Sequence, residues 1–155
     1  MGSNTTPEVA AKRLTMSYIV RLAGCASCLD TRLALCANEH GYRTNHLMAR
    51  RALIASEKAL QGIKVTHNAL WSRGGDFTAV VEYEGQPPMA VTGHLELTLE
   101  LLDKAEEQLV EYLGNPTALE DELPMIEALL EWVRYCQWDL GHLRDSAKPV
   151  VRPAS

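Results

Sequence analysis

At 155 residues and 46% hydrophobic content, the chain has the size and composition of one ordinary globular domain, which excludes a wholly disordered protein. Its net charge is −5, and its apolar runs are too short to reach the roughly 18 residues of a membrane span. The first residues lack the basic start and the apolar centre of a secretory signal. We therefore expect a cytoplasmic protein with no membrane partner, whose four cysteines are reduced thiols.

The net charge hides an asymmetry between the two halves of the chain. Residues 1–75 carry ten Lys and Arg against four Asp and Glu, whereas residues 76–155 carry five against sixteen. Such segregation indicates a charged macromolecular partner. The alternative is that the two halves face each other, either within the monomer or across a homodimer.

The first predicted helix covers residues 7–23 and begins at a proline, which suits the first turn of a helix. Within it, residues 14–23 also have β character, so a strand is the alternative there. We expect a single globular domain over residues 7–145, with disordered ends at 1–6 and 146–155.

A second helix is predicted over residues 27–40 and a third over 45–61, and each is followed by a glycine that typically ends a helix. On the third helix, small and apolar residues form one arc that predicts close packing against a neighbour: Met48, Ala49, Ala52, Leu53, Ala55, Ser56, Ala59 and Leu60. Ile54 falls outside this arc, beside Arg51 and Lys58.

The hydrophobic period then changes to that of β-strands. Residues 63–71 and 77–83 predict two antiparallel strands joined by a glycine-containing loop at 72–76, and residues 89–92 are a candidate third strand. Helices return after this region. The predicted fold class is therefore α+β, with about five helices and one antiparallel β-hairpin between the third and fourth helices.

The fourth predicted helix, over residues 94–113, carries carboxylates on its outer face: Glu96, Glu100, Asp103, Glu107 and Glu111. Like charges three or four residues apart repel each other by a few tenths of a kcal/mol, about 0.2–0.5 per pair. A sequence that keeps this repulsion suggests a protein partner with a basic surface. The alternative is an ordinary solvated face.

The last predicted helix, over residues 124–144, places Tyr135, Trp138 and His142 on the side opposite its apolar residues. Tyrosine and tryptophan dominate the hot spots of protein interfaces, so an exposed Tyr135 and Trp138 predict a docking surface. The alternative is that another element covers them.

The cysteines support two further hypotheses beside the simple packing of small thiols. Four side chains at short spacing could bind zinc: Cys25, Cys28, Cys36 and His40. A strand over 17–23, followed by Cys25-Ala-Ser-Cys28 and a helix, resembles the active-site region of the thioredoxin-like family. That resemblance implies a thiol oxidoreductase in which Cys25 attacks and Cys28 resolves.

The segment Leu33–Arg51 resembles the helix-turn-helix of DNA-binding regulators, through Ala37 in the first helix, Gly41 at the turn and the apolar Tyr42 and Leu47. The resemblance implies that the second helix and a hairpin wing offer DNA contacts: Thr44, Asn45, His46, Arg50, Arg51 and, at the wing tip, Arg73. The last two helices would then form a dimerisation element.

No arrangement of residues in the sequence indicates hydrolysis, and we expect no cofactor. We therefore predict a non-catalytic binding protein, a regulator or inhibitor such as phages and mobile elements carry. It would occupy a protein partner through its charged and aromatic surface. The DNA-binding regulator and the thiol oxidoreductase are the alternatives.

Overall fold

The computed structural model describes residues 7–39, 47–83, 86–118 and 120–147, and these form a mostly helical fold with one small sheet. The described part contains four helices: α1 (Pro7–Glu39), α2 (Leu47–Ser72), α3 (Val91–Leu113) and α4 (Leu123–Ala147). Strands β1 (Val80–Tyr83) and β2 (Gln86–Ala90) pair antiparallel between α2 and α3. The predicted α+β class is broadly confirmed, but the number of helices and the position of the hairpin differ from the prediction.

The helices form an antiparallel bundle in which α1 packs against α2 and α4, and both of these pack against α3. Cross-helix contacts give the directions. Thr66 meets Thr98 near one end of the α2–α3 pair, and Met48 meets Asn115 at the other. Arg21 of α1 reaches Asp139 in the second half of α4, and Cys36, later in α1, lies beside Met125 near the start of α4.

The core is a column of aliphatic side chains contributed by all four helices. Many of its fully buried members recur seven residues apart, as expected where helices pack side by side: Leu22 and Leu29, Ile63 and Leu70, and Leu95, Leu102 and Leu109. Each such burial stabilises the fold by about 1.5–3 kcal/mol. None of the described helices combines the length and the apolar character needed to cross a bilayer.

The prediction of a strand over 63–71 is wrong, because α2 continues through these residues to Ser72. Ile63, Thr66 and Leu70 are buried and extend the buried face of α2 at helical spacing. The Thr66 hydroxyl donates to the Gly62 carbonyl at 2.8 Å and lies 3.3 Å from the Thr98 hydroxyl of α3. The β-branched residues of this segment are therefore accommodated in a helix by packing against α3.

The residues predicted as the hairpin loop, 72–76, instead end α2. Gly74 and Gly75 have φ angles of 64° and 84°, and their amides donate back to Trp71 and Leu70. This is the Schellman motif, in which a left-handed glycine satisfies the last carbonyls of a helix. The hairpin lies further along the chain and has two strands, since the predicted strand at 89–92 divides between β2 and α3.

The first two predicted helices are one continuous helix, and residues 14–23 are helical rather than extended. Buried positions recur every three or four residues without a break across the segment that was predicted to be a loop: Ile19, Leu22, Cys25, Leu29, Leu33 and Cys36. Of the ends predicted to be disordered, residues 1–6 and 148–155 lie outside the described residues, while positions 146 and 147 belong to α4.

We expect Gly62→Ala to destabilise the bundle. A Cβ at this position would lie 2.8 Å from the Thr98 hydroxyl oxygen. That hydroxyl is held by its hydrogen bond to the His94 carbonyl and by its contact with Thr66. Overpacking costs about 1–3 kcal/mol, which exceeds the ~1 kcal/mol that alanine gains over glycine inside a helix. Urea unfolding followed by circular dichroism measures the difference.

The matched control is Gly24→Ala in α1, where a Cβ would have no neighbouring atom within 4 Å. This variant should unfold at a higher urea concentration than the parent chain, by up to ~1 kcal/mol. Equal stabilisation by the two alanines would show that α2 and α3 do not approach closely at Gly62.

Candidate functional site

The outer face of α3 carries the five carboxylates predicted from the sequence, here called the acidic stripe: Glu96, Glu100, Asp103, Glu107 and Glu111. All five are exposed, and none forms an ion pair with a described residue. The edge of the stripe nearest α4 is fixed in place, because Gln137 donates to the Asp103 carboxylate at 2.8 Å. The stripe is thus a solvated negative surface bordering α4.

Four rings follow one another along the outer side of α4, and we call them the aromatic ladder: Trp132, Tyr135, Trp138 and His142. Spacings of three and four residues place them on one helix face. Centroid separations of 5.4, 6.3 and 4.8 Å bring each ring against the next. Trp138 is 62% exposed and Tyr135 is 47% exposed, so no described element covers them.

A buried polar cluster between α1 and α4 sets the orientation of the ladder. Arg21 donates through Nε and Nη2 to one Asp139 carboxylate oxygen, at 3.1 and 2.8 Å. The other oxygen accepts from the Cys25 thiol at 3.5 Å. Asp139 is only 8% exposed, and it directly follows Trp138 in the chain. Its carboxylate also raises the pKa of the Tyr135 phenol above the ordinary value.

The Cys25 thiol lies in the middle of α1 and is 1% exposed. The pKa of the Cys25 thiol is raised, mainly by a hydrogen bond with Cys136. Burial and the nearby Asp139 carboxylate raise it further. The thioredoxin-like arrangement needs a strand before the first cysteine and a thiol at a helix N-terminus, where the pKa falls. Both structural expectations are wrong here, because residues 17–28 are helical throughout.

The zinc hypothesis is not supported by the positions of the cysteines along α1. Cys36 follows Cys25 by eleven residues, a separation of about 16 Å along a helix axis, whereas one zinc ion binds ligands at about 2 Å. Cys28 lies near Cys25 but on the more exposed side, and His40 lies outside the described residues. Within the described ranges, no group of three or more Cys, His, Asp or Glu could hold a metal ion.

Of the residues predicted to contact DNA, Arg50 and Arg51 are exposed near the start of α2. Arg73 is exposed in the turn that ends α2 and not at the tip of a hairpin, so the predicted wing is wrong. Thr44, Asn45 and His46 lie outside the described residues.

The fold keeps the basic and acidic halves of the chain largely apart. The basic half supplies the neighbouring helices α1 and α2, and the acidic half supplies the neighbouring helices α3 and α4. Described residues form the ion pairs Arg21–Asp139, Arg134–Glu106 and Arg144–Asp145, and the first of these joins the two halves. The two halves thus neutralise each other at Arg21–Asp139, as in the alternative considered from the sequence, whereas the acidic stripe forms no ion pair with a described residue.

Sequence reasoning missed two members of this site. Trp132 could have been found, because it precedes Tyr135 by three residues and so shares its helix face. Asp139 carries no local signal, since its role depends on Arg21, 118 residues earlier in the chain.

The fold and the site together define a small helical bundle with an exposed aromatic and acidic surface. No protein-family model, curated protein or solved structure matches this chain.

We expect Asp139→Ala to lower the free energy of unfolding by about 2 kcal/mol, because it leaves the Arg21 guanidinium and the Cys25 thiol without their shared acceptor. The control is Glu106→Ala, which breaks the more exposed ion pair with Arg134 and should cost about 0.5 kcal/mol. Urea unfolding of both variants checks the contrast, and losses of similar size would mean that Asp139 is not an anchor.

The native thiols should differ in their reaction with an aromatic disulfide reagent. Cys28 is partly exposed, whereas Cys25 is buried and its raised pKa keeps it protonated through neutral pH. Cys28→Ser should therefore remove the fastest phase of the absorbance change, and Cys25→Ser should leave it unchanged. A fast phase that disappears in Cys25→Ser would restore the redox hypothesis.

Proposed function

We propose that this protein is a non-catalytic binding protein that regulates or inhibits a protein partner by occupying its surface. The aromatic ladder anchors the complex, and the acidic stripe selects a partner with a basic surface. The proposal rests chiefly on one observation, the 62% exposure of Trp138 within a row of mutually contacting rings.

Such a row has the physical properties of an interface anchor. Exposed tryptophan and tyrosine are energetically unfavourable in water, and they bury a large area with few rotatable bonds when a partner covers them. The contacts among Tyr135, Trp138 and His142 restrict the rotamers further, so less side-chain entropy is lost on binding. The ladder is therefore partly preorganised for a complex.

The charge beside the ladder supports a basic partner. Asp103 of the acidic stripe lies opposite Gln137, which directly precedes Trp138 in the chain, whereas the neighbouring Glu106 is already paired with Arg134. Carboxylates at this border attract lysine and arginine during the encounter and raise the association rate. An arginine of the partner can also stack on the exposed indole face of Trp138.

The proposal is tested by affinity capture from an extract of the source organism, treated with nuclease and quantified by mass spectrometry. We expect Trp138→Ala to reduce recovery of the partner about tenfold or more, as truncation of a hot spot does. Trp71→Ala is the matched control, because Trp71 is also 62% exposed but lies at the end of α2. It should leave recovery unchanged.

Charge reversal gives the second arm of this experiment. Glu100→Lys, Asp103→Lys and Glu107→Lys together should abolish capture, whereas Arg50→Glu with Arg51→Glu should have no effect. Unchanged recovery of the partner both with Trp138→Ala and with the charge-reversed acidic stripe would contradict the proposal. Nuclease-sensitive capture that depends on Arg50 and Arg51 would point to nucleic acid instead.

A further inference from the structure

A groove runs along the surface between α2 and α3, away from the aromatic ladder. It consists of two adjoining cavities of about 570 and 380 Å³, which share Ile54, Lys58 and Leu101 in their walls. A smaller cavity between Met48 and Glu111 continues it toward the start of α2. Its floor is apolar, and Ile54 is 42% exposed there.

Three cations surround the middle of this groove, which we call the basic groove. Arg51 and Lys58 project from α2 and Lys104 from α3, and all three line the central cavity, whose wall contains no carboxylate. None of the three forms an ion pair with a described residue. Unpaired cations beside exposed aliphatic carbon, in a protein of net charge −5, match an occupant that is apolar on one side and acidic on the edge.

The wall of the groove also contains a polar atom without a partner. The side-chain oxygen of Gln108 is buried and accepts no hydrogen bond from a described residue, and Gln108 lines both the central cavity and the smaller one. A buried acceptor left unsatisfied is destabilising by about 1–3 kcal/mol in general. A donor side chain on an occupant would satisfy it.

We propose that the basic groove binds an amphipathic helix of another protein, with apolar side chains on the floor and carboxylates over its central turns. The groove extends along α3 from His94 to Glu111, which is about 25 Å at the rise of an α-helix. That length fits about 17 residues of a docked helix, a common mode of recognition in apolar grooves. The end cavities contain Glu57 and Glu111, so the acidic residues of the partner belong in the middle and not at the ends.

A nucleic acid fits this groove less well. The phosphate backbone has no apolar side to cover Ile54 and Leu101, and a continuous polyanion would run beside the acidic stripe on the same helix. A helix carries its carboxylates at single positions, so it can place them against the three cations in the middle of the groove and keep them away from Glu57 and Glu111 at the ends.

The test uses a designed, fluorescein-labelled 17-residue helical peptide with leucines at helical spacing and glutamates in its central turns. A second peptide replaces those glutamates with lysines. We expect fluorescence anisotropy with the full chain to show at least about tenfold tighter binding of the acidic peptide, with a preference that weakens as salt is added. Equal binding of the two peptides, or binding of neither, overturns the proposal.

Variants of the protein locate the binding site. Lys58→Glu with Lys104→Glu should reverse the preference between the two peptides, whereas Lys64→Glu, on α2 but outside the groove, should not change it. Ile54→Gln should weaken binding about tenfold, and Val110→Gln, at a residue of similar exposure outside the groove, should not.

Two further outcomes contradict the proposal. Displacement of the acidic peptide by a DNA duplex would show that the groove is a phosphate site. Loss of peptide binding in Trp138→Ala would place the peptide on the aromatic ladder, so this variant also separates the basic groove from the docking surface proposed above. Unchanged circular dichroism of each variant confirms that it is folded.

Discussion

The rotation of α4 about its own axis is the constraint on which the exposed surface depends. Gln137 is held by Asp103 of α3, and Asp139 is held by Arg21 of α1. Successive side chains on a helix diverge by about 100°, so the residue between one that contacts α3 and one that contacts α1 points to solvent. Trp138 occupies that position. Its exposure agrees with the burial of the apolar face of α4, and the two neighbouring contacts hold the helix in this rotation.

The arrangement of the helices converts the charge asymmetry of the chain into two separate surfaces. Because α3 and α4 are neighbours, the acidic stripe lies next to the aromatic ladder. Because α2 packs against the other side of α3, cations of α2 and Lys104 surround an apolar groove there. One helix, α3, thus separates a surface suited to a basic partner from one suited to an acidic helix. The Arg21–Asp139 pair joins the basic and acidic halves.

Periodicity predicted the parts of the fold in which one face is apolar and the other charged. The last two helices, the buried arc of α2 and the exposure of the acidic stripe follow directly from spacing. The predicted strand over 63–71 was wrong, although the β-branched residues of this segment are typical of strands. Gly62 and Thr66 pack closely on Thr98, and this packing favours a continuous helix. The predicted break between the helices at 7–23 and 27–40 was also wrong. Buried side chains continue at helical spacing through this segment, so one helix covers both ranges.

The sequence by itself determined the helical character of most of the chain, the acidic face of α3 and the outward side of α4. Each of these depends on residues three or four apart, which lie on the same face of a helix. Only the tertiary structure decided which helices are neighbours, where α2 ends and what surrounds Ile54. It also decided that the Cys25 thiol is buried against Asp139 and Cys136, more than a hundred residues away. Contacts across such separations depend on how complete helices pack, and no local pattern of residues specifies them.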